Sequence, residues 1–179
     1  MLKERSPQQG MTLIEVLISM AVLVLLIALG APSFFEWTQN QQIRTAAEAA
    51  INGLQVARSE AIRRNLPVKV VFSTTDSGWA VTESSSGTAI QSRSGSEGTA
   101  NAVFTITPSG ATTVTFNALG GVTTNADASS AITQLDVSSS SAALATAAAR
   151  PLRILVAGGG SIRMCDPAST IATTDPRHC

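Results

Sequence analysis

Residues 9–35 read QGMTLIEVLISMAVLVLLIALGAPSFF. From Val16 to Phe35 twenty residues pass without a charge. At about 1.5 Å of rise per residue, a helix of that length spans a hydrocarbon core of about 30 Å. The ten residues before Met11 are polar and carry Lys3, Glu4 and Arg5. The positive-inside rule therefore holds that end in the cytoplasm and sends the remainder outward, which predicts a periplasmic head.

Glu15 interrupts this pattern. A carboxylate just inside the edge of an apolar span is costly and requires a partner. A cut after Gly10 would expose the amine of Met11 near Glu15. In a bundle of such helices, a neighbour's amine would neutralise the acid where a low effective dielectric strengthens the pair. Two plainer readings compete: a secretory signal cleaved among the small residues of Ala28 to Ala31, and a single-pass anchor that leaves Gly10 and Glu15 without a reason.

Beyond the span, Pro32 is expected to bend the helix, because the next segment is again helical. Ile43, Ala47, Ala50, Leu54, Ala57 and Ala61 recur at spacings of four and three and lay a narrow apolar stripe on one face. Arg44, Glu48, Arg58, Glu60 and Arg64 fall mainly off it, with Glu60 and Arg64 in the favourable i, i+4 order. Asn65 and Pro67 stop the helix, which is predicted over Met11 to Arg64.

After Pro67 the period changes to that of strands, predicted at Val68–Ser73, Trp79–Glu83, Ala89–Ser92, Val103–Thr107, Thr113–Asn117, Ile132–Val137, Leu152–Val156 and Ile162–Cys165. Turn residues separate them as in an antiparallel sheet. Ser84–Ala100 and Ser138–Ala149 are Ser-rich loops; the second is expected to be mobile, with a short Ala-rich helix as the alternative.

The 179 residues suffice for one globular domain plus a membrane element. Net charge is zero and only 13% of residues are charged, so any binding of nucleic acid must come from a local patch. The only two cysteines, Cys165 and Cys179, lie at the C-terminal end. Downstream of an export-type segment they read as a disulfide, worth about 3 kcal/mol by loop closure. The alternative is a reduced or metal-binding pair, but no further cysteine exists and His178 is the only histidine.

Gln9-Gly10-Met11-Thr12-Leu13-Ile14-Glu15-Val16 resembles the class III signal of type IV prepilins and pseudopilins, with Met11 where that family usually has Phe. The resemblance implies cleavage between Gly10 and Met11 by prepilin peptidase, N-methylation of Met11, and an assembly role for Glu15. Ala57-Arg58-Ser59-Glu60-Ala61-Ile62-Arg63-Arg64-Asn65 looks like the helix end of the GspH/FimT group. Phe116-Asn117-Ala118-Leu119-Gly120-Gly121 resembles its central hairpin, and Leu152 to Cys165 its last strands. The closing Asp175-Pro176-Arg177-His178-Cys179 fits the FimT/FimU branch.

The implied fold is α+β and type IV pilin-like: a long helix, transmembrane then amphipathic, packed on a small antiparallel β head. The expected organisation is a leader at 1–10, a span at 11–35, an amphipathic half at 36–66 and a head at 67–179. The implied partners are other major and minor pilins, prepilin peptidase, the inner-membrane assembly platform and, before assembly, inner-membrane lipid.

No catalytic constellation is expected, and no cofactor or metal. His178 sits beside the C-terminus, without the rigid surround that a general base requires. Gly158-Gly159-Gly160 joins two strands with no lysine following, so it reads as a hairpin turn and not as a phosphate cradle. Arg150, Arg153, Arg163 and Arg177 form a modest cationic excess that would suit phosphate contact. Some FimT-like pilins bind DNA through a Gly-Arg-x-Arg turn; Gly160 and Arg163 match it, and Ser161 replaces the first Arg. The leading expectation is a minor pilin of the initiating or tip complex of a type IV pilus. The alternatives are a DNA-binding minor pilin for natural transformation and an H-type pseudopilin of type II secretion.

Overall fold

The computed structural model describes residues 11–141, 144, 148–168 and 170–179. The predicted leader, and part of the Ser138–Ala149 loop, lie outside the described residues. The long helix α1 is Leu13–Arg64, 52 residues that run through Pro32. The chain divides into two compact units, one ending at Phe35 and the other beginning at Glu36. In the first unit every residue from Met11 to Phe35 is exposed.

In the second unit α1 buries Gln39, Ile43, Ala46, Ala47, Ala50, Gly53, Leu54, Ala57 and Ala61, which contains the whole predicted stripe. Its small residues allow the sheet to come close. A Cβ on Gly53 would stand 2.8 Å from the Trp79 ring. The helix stops where Asn65 turns left-handed at φ 55°, with Leu66 N donating to Ala61 O. Such a cap is tolerated by Asn, and Pro67 cannot continue the helix.

The strands among the described residues are β1 (Val68–Phe72), β2 (Trp79–Glu83), β3 (Ala89–Arg93), β4 (Ala102–Thr107), β5 (Thr113–Phe116), β6 (Val122–Thr123), β7 (Gln134–Ser139), β8 (Leu152–Val156) and β9 (Ile162–Cys165). All the ladder pairings are antiparallel, as expected. The strands divide into two sheets instead of forming one, ordered β3-β2-β1-β5-β6 and β4-β7-β8-β9. Phe72 of one sheet meets Phe104 of the other edge to face, with centroids 5.5 Å apart. Around that contact Val70, Val81, Val114, Leu135, Val137 and Ile154 share one core with the helix stripe.

The sheet division also explains the largest boundary difference. Ile132 is buried and donates its N–H to Thr113 O of β5, so it belongs to the crossing between sheets. The strand therefore starts at Gln134 and continues to Ser139, opposite Ala102. The β6 strand was not anticipated, because two residues are too few to display a period of two.

Candidate functional site

The first unit presents a chemically simple surface. Thr12 caps α1: its Oγ1 accepts from Glu15 N at 3.3 Å, and its carbonyl accepts from Val16 N. Threonine followed three residues later by glutamate is a helix-start signature, and an acid in the first turn complements the helix dipole. Glu15 thus has a local role beside any intermolecular one. No cation among the described residues pairs with it, and past it the helix is long and apolar enough to cross a membrane. Met11 is exposed; Gly10 lies outside the described residues.

In the head, the structure brings together two turns that the sequence kept apart. Arg58 Nε donates to Gly120 O at 3.1 Å, and Val122 N donates to Gly158 O at 2.9 Å. Gly120 and Gly160 are both left-handed, at φ 78°. Any Cβ on Gly160 would be driven into the Gly120 carbonyl oxygen. The Phe116–Gly121 hairpin of one sheet is therefore fastened to the Gly158–Gly160 turn of the other, with Arg58 of the helix bonded at the junction. Sequence reasoning read both as ordinary turns. The available signal was Arg58 itself, a cation next to the buried Ala57.

Cys165 and Cys179 are joined by a disulfide, with Cα atoms 5.1 Å apart. Residues 176–178 fold back on Arg163 of β9 and on Asp166. Asp166 and His178 form a parallel bridge, Asp166 N donates to Arg177 O at 2.6 Å, and Arg163 donates to the carbonyl of His178 at 2.7 Å. Arg177 holds Asp175 at 2.8 Å and lowers its pKa to about 2. Beside this loop an open groove of about 360 Å³ is lined by Arg44, Met164, Cys165, Asp166 and Arg177. Arg44 is already paired with Glu48 and Arg177 with Asp175, so among the described residues the groove offers no unspent cation.

The four arginines considered for phosphate contact are not gathered into one free patch. Arg153 lies opposite Asp136 across β8 and β7 and is bound to it at 2.6 Å, which raises the Arg153 pKa. Arg163 and Arg177 are committed to the C-terminal loop. Arg150 is exposed, and its backbone N–H donates to Asn40 Oδ1 of α1 at 2.9 Å. No cluster of three potential metal ligands occurs among the described residues.

The family profile described as Type II transport protein GspH matches residues 46–160, and one described as a prokaryotic N-terminal methylation motif matches residues 5–31. No curated protein matches the chain. Among solved structures, the type IV minor pilin FimU of Pseudomonas aeruginosa PAO1 is similar in fold. One crystal form gives a TM-score of 0.51 at 19% identity, covering 75% of this chain and 99% of that one. A second crystal form gives 0.47 at 20% identity, covering 72% and 99%. The α+β, type IV pilin-like architecture expected from the sequence is the architecture of the first.

Proposed function

The chain belongs to the GspH family, and from that premise we propose that it is a minor pilin of a type IV pilus, a structural subunit and not an enzyme. In this reading residues 1–10 are a leader removed between Gly10 and Met11 by prepilin peptidase, and Met11 is then methylated. Residues 11–35 wait in the inner membrane as a single span, with 36–66 as the amphipathic half and 67–179 as a periplasmic head. The assembly platform lifts the span into the filament core, where other pilins surround it. Its place is the initiating or tip complex, supporting adhesion or twitching motility.

One observation carries this reading: an apolar rod exposed along its whole length, bearing a single acid at its start. Lipid covers such a rod before assembly and neighbouring helices cover it afterwards. Glu15 costs least where a neighbour's terminal amine meets it. Replacing Glu15 by Ala is expected to leave membrane insertion intact while the subunit disappears from sheared fibres. Unchanged incorporation would refute the charge pair.

The description of the matching family supports a second reading, an H-type pseudopilin of a type II secretion system. Deletion of the gene separates the two: loss of surface pili favours the first, and loss of exoprotein secretion with intact pili favours the second. The DNA-receptor alternative has weaker support, because Arg153 and Arg177 each already hold a carboxylate.

A further inference from the structure

Arg150 is exposed and fixed by its backbone to the first turns of the head's helix. Asn40 makes both contacts, accepting from Arg150 N at 2.9 Å and donating through Nδ2 to Ala148 O at 3.0 Å. Asn40 lies four residues after Glu36, where the second unit begins, which is about 6 Å along a helix. The headgroup layer on each side of a bilayer is about 5–7 Å thick. Chain connectivity alone therefore keeps Asn40, to which the 148–150 segment is bonded, within about 6 Å of Glu36, a reach that matches the headgroup layer when residues 11–35 span the membrane. Trp37 is an i, i+3 neighbour of Asn40 and is 58% exposed, whereas Trp79 is 5% exposed in the core. Exposed tryptophan just past the end of an apolar span is the usual interfacial anchor. Glu36, one turn before Asn40, is the carboxylate at the same level; it is half-buried and not within ion-pairing distance of Arg150.

We propose that Trp37 and Arg150 form a membrane-contacting rim of the head, in which Trp37 lies among the headgroups and Arg150 pairs with the phosphate of an anionic phospholipid. This rests on the membrane-span reading above. It assigns the Arg150 cation to lipid, and it supplies a contact that must break when the subunit leaves the bilayer. An arginine fork suits phosphate, and one cation near an anionic surface enriches anionic lipid severalfold.

The test uses the full chain in phosphatidylcholine vesicles containing phosphatidylglycerol. Flotation after carbonate washing reports the span. Spin-labelled phosphatidylglycerol, compared with labelled phosphatidylcholine, reports lipid selectivity, and headgroup nitroxides report Trp37, with Trp37→Phe subtracting the Trp79 signal. The expected result is Trp37 quenched more by headgroup than by mid-chain labels, and a selectivity that falls about fivefold in Arg150→Glu and is kept in Arg150→Lys. Unchanged selectivity in a floating Arg150→Glu chain would overturn the rim and leave the span standing. A chain that does not float would overturn the span reading itself. If Arg150→Glu instead abolished retention of duplex DNA with lipid selectivity intact, the cation would belong to nucleic acid and the proposal would fall.

Discussion

The two halves of α1 are built from similar apolar residues and meet opposite fates. Ile43, Leu54 and the alanines around them are buried under two sheets of the same chain. Ile18, Leu25 and Leu29 of the other half are exposed. The difference lies in what accompanies the apolar residues. Past Glu36 they form a stripe edged with Arg44, Glu48 and Glu60, which suits one packed face and one wet face. Before Glu36 they occupy every side, which suits only lipid or a ring of neighbouring helices. One half of the helix stabilises the subunit, and the other keeps its hydrophobic free energy for the surroundings.

Truncating a leucine in each half breaks this comparison most directly. Leu54→Ala is expected to cost the head about 3 kcal/mol in denaturant unfolding, through lost burial and a residual cavity. Leu25→Ala is expected to leave the same transition unmoved. Equal effects would mean that the two halves are not energetically separate. The C-terminal clasp comes next. Cys179→Ser is expected to lower stability by about 3 kcal/mol and to leave residues 170–178 open to protease. An unaltered digestion pattern would show that Asp166, Arg163 and the His178 carbonyl hold the loop without the disulfide.

Much of this contrast can be read along the chain, because span, stripe and strands are local patterns. The 20-residue uncharged run and the four-and-three spacing of Ile43 to Ala61 need no tertiary knowledge. What escapes is contact between distant residues. Nothing local indicates that Ile132 crosses between sheets, that Arg153 finds Asp136, or that Arg150 rests on Asn40. Gly120 and Gly160 were legible as turn glycines but not as the place where two turns touch. The acidic Glu15 was visible at once, while its bond to the Thr12 cap required coordinates.

That junction provides a smaller test. Arg58→Ala leaves the Gly120 carbonyl without its charged donor and is expected to cost about 1.5–3 kcal/mol in head unfolding. If Arg58→Ala unfolds like the parent, the junction holds through the glycines alone.

The smallest effect is in acid. Hydrogen bonds from Arg63 and Arg64 hold Glu60 at a pKa of about 2, and the bond from Arg177 does the same for Asp175. Both values lie below those of the free acids, 4.5 and 3.8. Their contribution is therefore complete above about pH 4.5 and fades as the pH falls toward 2. A Glu60→Gln head should show a shallower loss of stability over that window, and an identical slope would show that the exposed pairs contribute nothing measurable.

The most direct test of the division between a self-satisfied head and an environment-satisfied rod is the intact mass of the protein recovered from bacterial membranes. We expect a chain that begins at N-methylated Met11 and retains every residue of the span, so that each copy offers a basic terminal amine to the Glu15 of a neighbour. A chain that still begins at Met1, or one that starts beyond Ala31, would contradict it.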